Sequence, residues 1–155
     1  MFLTVCTFAG HREVFSSTVE SEIDKALIEI IEADKECVFY SGGMGDFDKK
    51  CESAVRGMKR KYPERSIRLV RVLPYLTHAI NRDKEYFKSY YDDIVVPMEL
   101  MGVHYKAAIK KRNRWMVDQA DKILAYIYRD FGGAFDTVKY AHRMGKPVLN
   151  FAVKE

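Results

Sequence analysis

The sequence predicts an α/β protein: a Rossmann-like, doubly wound, mainly parallel sheet of about six strands with helices on both faces. Short apolar runs alternate along the chain with amphipathic stretches, the pattern of a parallel sheet wound by crossover helices. The runs are continuously apolar rather than alternating, as strands buried on both faces are. Two glycine-rich turns each follow a strand and open a helix. The 155 residues are read as a single domain over 1–155, with 48% apolar and 31% charged residues. This composition excludes a disordered chain.

Phe2 to Phe8 is predicted as the first strand, leading into Ala9-Gly10-His11-Arg12-Glu13. Ser16-Ser17-Thr18 offers N-caps, with Glu20 three residues after Ser17 as a capping box. Val19, Ile23, Ala26, Leu27, Ile30 and Ile31 form the stripe of the first helix. Glu36 to Tyr40 is the second strand and breaks into Ser41-Gly42-Gly43-Met44-Gly45-Asp46. A helix follows to about Tyr62, with Phe47, Cys51, Ala54, Val55 and Met58 facing inward. The glycines let the backbone turn tightly, and the helix start offers unpaired N–H groups to an anion, most often a phosphate. A plain βα turn would use the same residues.

Ile67 to Leu73 is the third strand, closed by Pro74. Residues 74–93 carry Tyr75, Tyr86, Phe87, Tyr90 and Tyr91 among charges, with a short helix from Arg82 to Tyr91. That segment reads either as a helix covering the sheet edge or as a lid that stacks on a base. Ile94 to Val96 is a short strand. Tyr105 to Gln119 is a basic helix with Lys106, Lys110, Lys111, Arg112 and Arg114. Lys122 to Tyr128 is the fifth strand and Asp130 to Gly133 the second glycine turn. Phe135 to Met144 is helical, and Pro147 to Val153 is the last strand. In such a fold, ligands sit at the carboxyl ends of the strands near the switch point. There the loops Gly10–Arg12, Ser41–Asp46 and Asp130–Asp136 gather.

Cys6, Cys37 and Cys51 sit among apolar residues without metal-ligand spacing, and are expected to be reduced core thiols of a cytoplasmic protein. No run of about 18 apolar residues is present, so no membrane partner is expected. The net charge of +4 suits an anionic small molecule and is mild for a nucleic-acid binder.

Ser41-Gly42-Gly43-Met44-Gly45, Arg112-Asn113-Arg114 on a basic helix, and Gly132-Gly133-x-x-Asp136-Thr137 together resemble the SLOG superfamily. That group contains the Lonely Guy phosphoribohydrolases, the DNA-processing protein A fold and small stand-alone nucleotide-ligand domains. Ala9-Gly10-His11-Arg12 is similar to the start of the stand-alone bacterial branch of YpsA-like and prophage proteins. The resemblance covers nearly the whole chain. It implies a sensor or signalling module that binds a nucleotide-derived ligand, ADP-ribose or similar, and requires no cofactor and no metal. The turn Gly42–Gly45 would take one phosphate, and Gly132, Gly133 and Thr137 a second phosphate or a ribose. Arg12 and Arg112 would neutralise charge, with Asp46 or Asp136 accepting ribose hydroxyls. Gly10, His11, Ser41, Met44 and Arg114 complete the candidate ligand-binding set.

The Lonely Guy enzymes carry Pro-Gly-Gly-x-Gly-Thr-x-x-Glu after the fifth strand. Here the glutamate's place is taken by Val138, Lys139 or Tyr140, depending on register. N-glycoside hydrolysis needs a carboxylate, so loss of that activity is expected and no catalytic residue is assigned. A nucleotide N-glycosidase drawing on Asp46 or Asp136 is the first alternative. The second is a binder of single-stranded nucleic acid through Lys106 to Arg114 and Trp115. Oligomers are common in this fold, and by that analogy Tyr105 to Gln119 offers a homodimer face.

Overall fold

A computed structural model describes residues 3–76 and 82–152. The elements in chain order are β1 (Leu3–Gly10), α1 (Val19–Ala33), β2 (Glu36–Ser41), α2 (Gly45–Lys61), β3 (Ser66–Val72), α3 (Lys84–Tyr90) and β4 (Asp93–Val95). A 3-10 turn at Met98–Leu100 leads into α4 (Tyr105–Gln119), β5 (Lys122–Tyr126), α5 (Gly133–Arg143) and β6 (Val148–Asn150).

The six strands form one sheet in the order β4-β3-β2-β1-β5-β6, and every neighbouring pair is parallel. The predicted α/β doubly wound class is therefore observed. The chain winds outward from β1 through β2, β3 and β4, then returns to the other side of β1 with β5 and β6. Reversal of direction sends the later crossovers to the opposite face. Side-chain alternation along β1 records this division. Cys6 and Phe8 join the α1–α2 core with Leu27, Phe39 and Phe47, whereas Ala9 joins Val117, Ile123, Val138 and Ala141 under α4 and α5.

Several boundaries differ from the sequence reading for local reasons. The capping box is not formed: α1 has Thr18 at its N-cap with no side-chain cap bond, and Glu20 pairs instead with Lys50 of α2 at 2.7 Å. β5 stops at Tyr126 because Ile127 turns its N–H to the Asn150 side chain at 3.0 Å. The same amide oxygen accepts from the Ala152 N–H, which ends the β6 ladder early; predicted strand residue Val153 lies outside the described residues. Part of the stretch 74–93 also lies outside them. In the rest of that stretch, α3 turns Phe87 and Tyr90 toward the main core. Tyr91 is buried in the main core, with Phe87 and Tyr90 packed against it. Arg56 stacks over Tyr90 at 4.2 Å, so these rings face protein rather than an open ligand space. All three cysteines are free and buried. Among the described residues, no helix is long and apolar enough to cross a membrane.

Candidate functional site

β1 lies between β2 and β5, and the helices that follow β1 and β5 leave on opposite faces. A crevice must open at the carboxyl ends of these two strands. A cavity of about 230 Å³ lies there. Gly10, His11 and Arg12 line it from β1, Met44 and Asp48 from the β2–α2 turn, and Arg112 and Asn113 from α4. Arg129, Gly133, Ala134 and Thr137 close it from the β5–α5 side. A hollow of about 300 Å³ adjoins it, sharing Ile109, Asn113, Gly133 and Thr137. The two together reach the size range of small-molecule clefts.

Backbone and packing hold this rim in place. A Cβ on Gly10 would fall 2.4 Å from the Phe47 ring, so only glycine lets β1 end directly over α2. The His11 N–H donates to the Tyr126 carbonyl at 3.2 Å, and the Asp46 N–H to the Arg12 carbonyl at 2.9 Å. The loop after β1 is thereby tied to the end of β5 and to the first turn of α2.

The β2–α2 turn is organised differently from the expectation. Ser41 Oγ accepts the Gly43 N–H at 3.1 Å and donates to Glu52 at 2.6 Å. The Met44 N–H donates to Asp48 Oδ2 at 3.0 Å, and the Asp46 N–H is engaged by Arg12. Three of the N–H groups expected to receive a phosphate thus already serve the protein's own oxygens. The start of α5 is more open: its N-cap is Gly132, at φ +100°, which has no side chain to cap the first turn.

Behind the turn lies a buried charge network. Arg112 is 2% exposed; its Nη1 donates to the Val72 carbonyl at 3.0 Å and the Gly42 carbonyl at 3.3 Å. Burial pulls its guanidinium down to about 10, helped by the like charge of Arg71 and opposed by Asp48. Burial pushes the Asp48 carboxyl up to about 7; Glu52 adds to the rise, while the Met44 N–H, Arg112 and Arg71 oppose it. Tyr91 OH receives Arg71 Nη1 at 2.9 Å and donates to Glu52 at 3.0 Å. Burial, then the Arg129 charge, lowers the His11 imidazole below its usual range. Two polar atoms of residues that line the cavity are closed off from solvent and have no partner among the described residues: His11 Nε2 and Asp48 Oδ1. Each leaves a hydrogen-bonding capacity of the buried network unused.

Of the residues expected from sequence, the cavity brings together Gly10, His11, Arg12, Met44, Arg112, Gly133 and Thr137. Arg114 and Asp136 border the adjoining hollow instead. Ser41, Gly42 and Gly43 support the site from behind, through Glu52, Arg112 and Arg71 respectively. Gly45 packs against Arg12, and exposed Asp46 faces a groove between α1 and α2. Trp115 donates to Glu99 at 2.5 Å and meets Tyr40 edge-on at 5.4 Å, so its ring is half-buried. Asp48, Glu52 and Arg129 were not anticipated. Asp48, Glu52 and Val55 follow spacings of four and three, which places both acids on an inward face of α2; that was the available signal. Among the described residues, no His, Cys, Asp or Glu cluster suits a metal ion.

Three solved structures share this fold. DNA processing protein A from Streptococcus pneumoniae aligns at a TM-score of 0.64 with 16% identity, over 96% of this chain and 50% of that one. DNA processing protein A from Helicobacter pylori, described for its single-stranded DNA binding mode, aligns at 0.63 with 14% identity, over 95% and 64%. The molybdenum cofactor binding protein of Rippkaea orientalis aligns at 0.62 with 19% identity, over 99% and 79%. This chain therefore spans half the length of the pneumococcal protein. No protein-family model and no curated protein matches the chain. The class defined by the topology and these neighbours is a Rossmann-like α/β fold with an all-parallel sheet.

Proposed function

We propose that this chain is a SLOG-type module that binds a nucleotide-derived ligand, ADP-ribose or a close relative, in the crevice between β1 and β5. The observation that carries this reading is the cavity where Arg12, Arg112 and Arg129 meet the open first turn of α5. Three guanidinium groups and a helix N-terminus favour an anion. Phosphate placement shifts from the α2 turn to α5, because the Gly43, Met44 and Asp46 N–H groups are already engaged. The test is calorimetric titration with ADP-ribose and, separately, a short oligonucleotide at two salt concentrations. ADP-ribose should bind, and exposed Arg12→Ala should weaken it about tenfold. Oligonucleotide binding with a steep salt slope, and no ADP-ribose binding, would overturn the reading in favour of a single-strand binder.

One observation favours a second reading. Asp48 places a carboxyl that titrates near neutral pH in the cavity wall, as a general acid for N-glycoside cleavage requires. Asp46 and Asp136, the carboxylates considered from sequence, are both exposed and line neither wall of this cavity. Free base released from a nucleotide by the wild type, and not by Asp48→Asn, would establish this hydrolase.

A further inference from the structure

The loops after β1 and β5 carry an aromatic cluster that touches the cavity residues His11 and Arg129; Tyr128 and Arg129 also line a separate cavity of about 570 Å³ toward β6. Phe15 is 71% exposed and Phe131 62% exposed, and neither belongs to the hydrophobic core. Tyr128 joins them to the site: its ring meets Phe15 at 5.6 Å and the cavity residue His11 at 4.5 Å, both edge-on. Arg129, which lines the cavity, lies over Phe131 at 4.7 Å and Tyr128 at 5.6 Å. The Phe15 N–H donates to Tyr126 OH at 3.3 Å, which fixes the first loop against the end of β5.

Phe15 and Phe131, linked through Tyr128 and Arg129, would gain by being covered together. The cover must be flat and apolar enough to lie on ring faces, and must connect to an anionic group a short distance inside. A protein side chain meets the first condition only. A nucleobase joined to a ribose phosphate meets both, since every base offers a π face and Arg129 can stack on it while facing the anion.

We propose that Phe15, Tyr128, Phe131 and Arg129 form the base-binding subsite of this chain, where the planar base of the nucleotide ligand stacks while its phosphate lies in the cavity. The inference rests on the nucleotide-ligand reading above and adds where the base is held. It assigns recognition of the base to stacking, so that the subsite selects for a π face rather than for one hydrogen-bonding pattern.

The test compares ADP-ribose with ribose 5-phosphate, which has the sugar phosphate but no base, by calorimetry on wild type and on Phe15→Ala/Phe131→Ala. Both side chains are exposed, so the double variant should keep the wild-type melting temperature. ADP-ribose binding should weaken by about tenfold or more, with ribose 5-phosphate unchanged. Phe131→Trp should retain tight ADP-ribose binding, because it keeps the ring face. Wild-type ADP-ribose affinity in the double variant would overturn the subsite while leaving the ligand reading intact. Equal loss of both ligands would also overturn it, by showing damage to the phosphate pocket. Failure of the wild type to bind either compound would overturn the ligand reading itself, and the subsite with it.

Discussion

Arg112 and Gly42 fit face to face: a Cβ on Gly42 would sit 3.0 Å from the guanidinium carbon of Arg112, whose Nη1 donates to the Gly42 carbonyl at 3.3 Å. The basic helix α4 thus locks the glycine turn from the opposite face of the sheet. Arg112 also holds the Val72 carbonyl at the end of β3. Its charge is spent on the protein's own carbonyls and on Asp48 as much as on any ligand.

Arg112→Ala should therefore destabilise the fold by about 3–5 kcal/mol, since it strands two carbonyls and removes the cation nearest Asp48. Arg112→Lys should lose less, because an ammonium keeps the charge but cannot fork between two acceptors. Urea unfolding of both variants checks the order.

Gly43→Ala should be more damaging than Gly42→Ala. Gly43 has φ +65°, and a Cβ there would fall 2.1 Å from the Arg71 guanidinium. Strain and displacement of Arg71 from Tyr91 together should amount to about 2–3 kcal/mol. Gly42→Ala asks only for a small retreat of Arg112, roughly 1 kcal/mol. Thermal or urea unfolding of the pair reads this directly.

Tyr91→Phe removes one hydroxyl that serves both Arg71 and Glu52. The loss should be about 2 kcal/mol, as buried charged groups lose a shared partner. Tyr86→Phe on α3 is a control, because Tyr86 is 59% exposed and should change stability by less than about 0.5 kcal/mol.

Asp48 should give the protein a pH-dependent stability of reversed sign to that of most carboxylates. Its folded value, about 7, stands above the unfolded one, so the fold prefers the protonated acid. Stability from this group is full at low pH and is lost as pH rises through about 7. Asp48→Asn keeps an acceptor for the Met44 N–H and cannot titrate. Between pH 8 and pH 5, wild type should gain roughly 2 kcal/mol relative to the variant. His11 works the other way, since its lowered value loses stability on acidification, but it is common to both proteins and cancels in the comparison.

The fold was legible because each signal was local. Continuous apolar runs such as Ile67–Leu73 stand apart from the three-and-four spacing of Phe47, Cys51, Val55 and Met58, and burial of both sets follows. The location of the site followed from alternation plus the glycine turns. Its chemistry did not, because it depends on partners distant in sequence. Ser41 to Asp46 reads as an anion cradle, yet Ser41 Oγ, Asp48 and the Arg12 carbonyl already accept from the Gly43, Met44 and Asp46 N–H groups, and Glu52 orders Ser41. Phe87, Tyr90 and Tyr91 read either as a sheet cover or as a lid over a base, and core packing with Arg71 and Arg56 claims them, while Tyr86 stays exposed. Phe15 and Tyr126 lie 111 positions apart, so no local pattern could announce that their loops meet.

The most direct measurement of the central claim is a thermal-shift assay with ADP-ribose, with the compound recovered from the same wells and weighed by mass spectrometry. At about 100 times its dissociation constant, a bound ligand adds about 2.7 kcal/mol of stability. The account predicts a clear upward shift, reduced in Arg12→Ala, with ADP-ribose recovered intact. No shift with ADP-ribose, NAD or AMP would contradict the claim that the β1–β5 crevice is a nucleotide site.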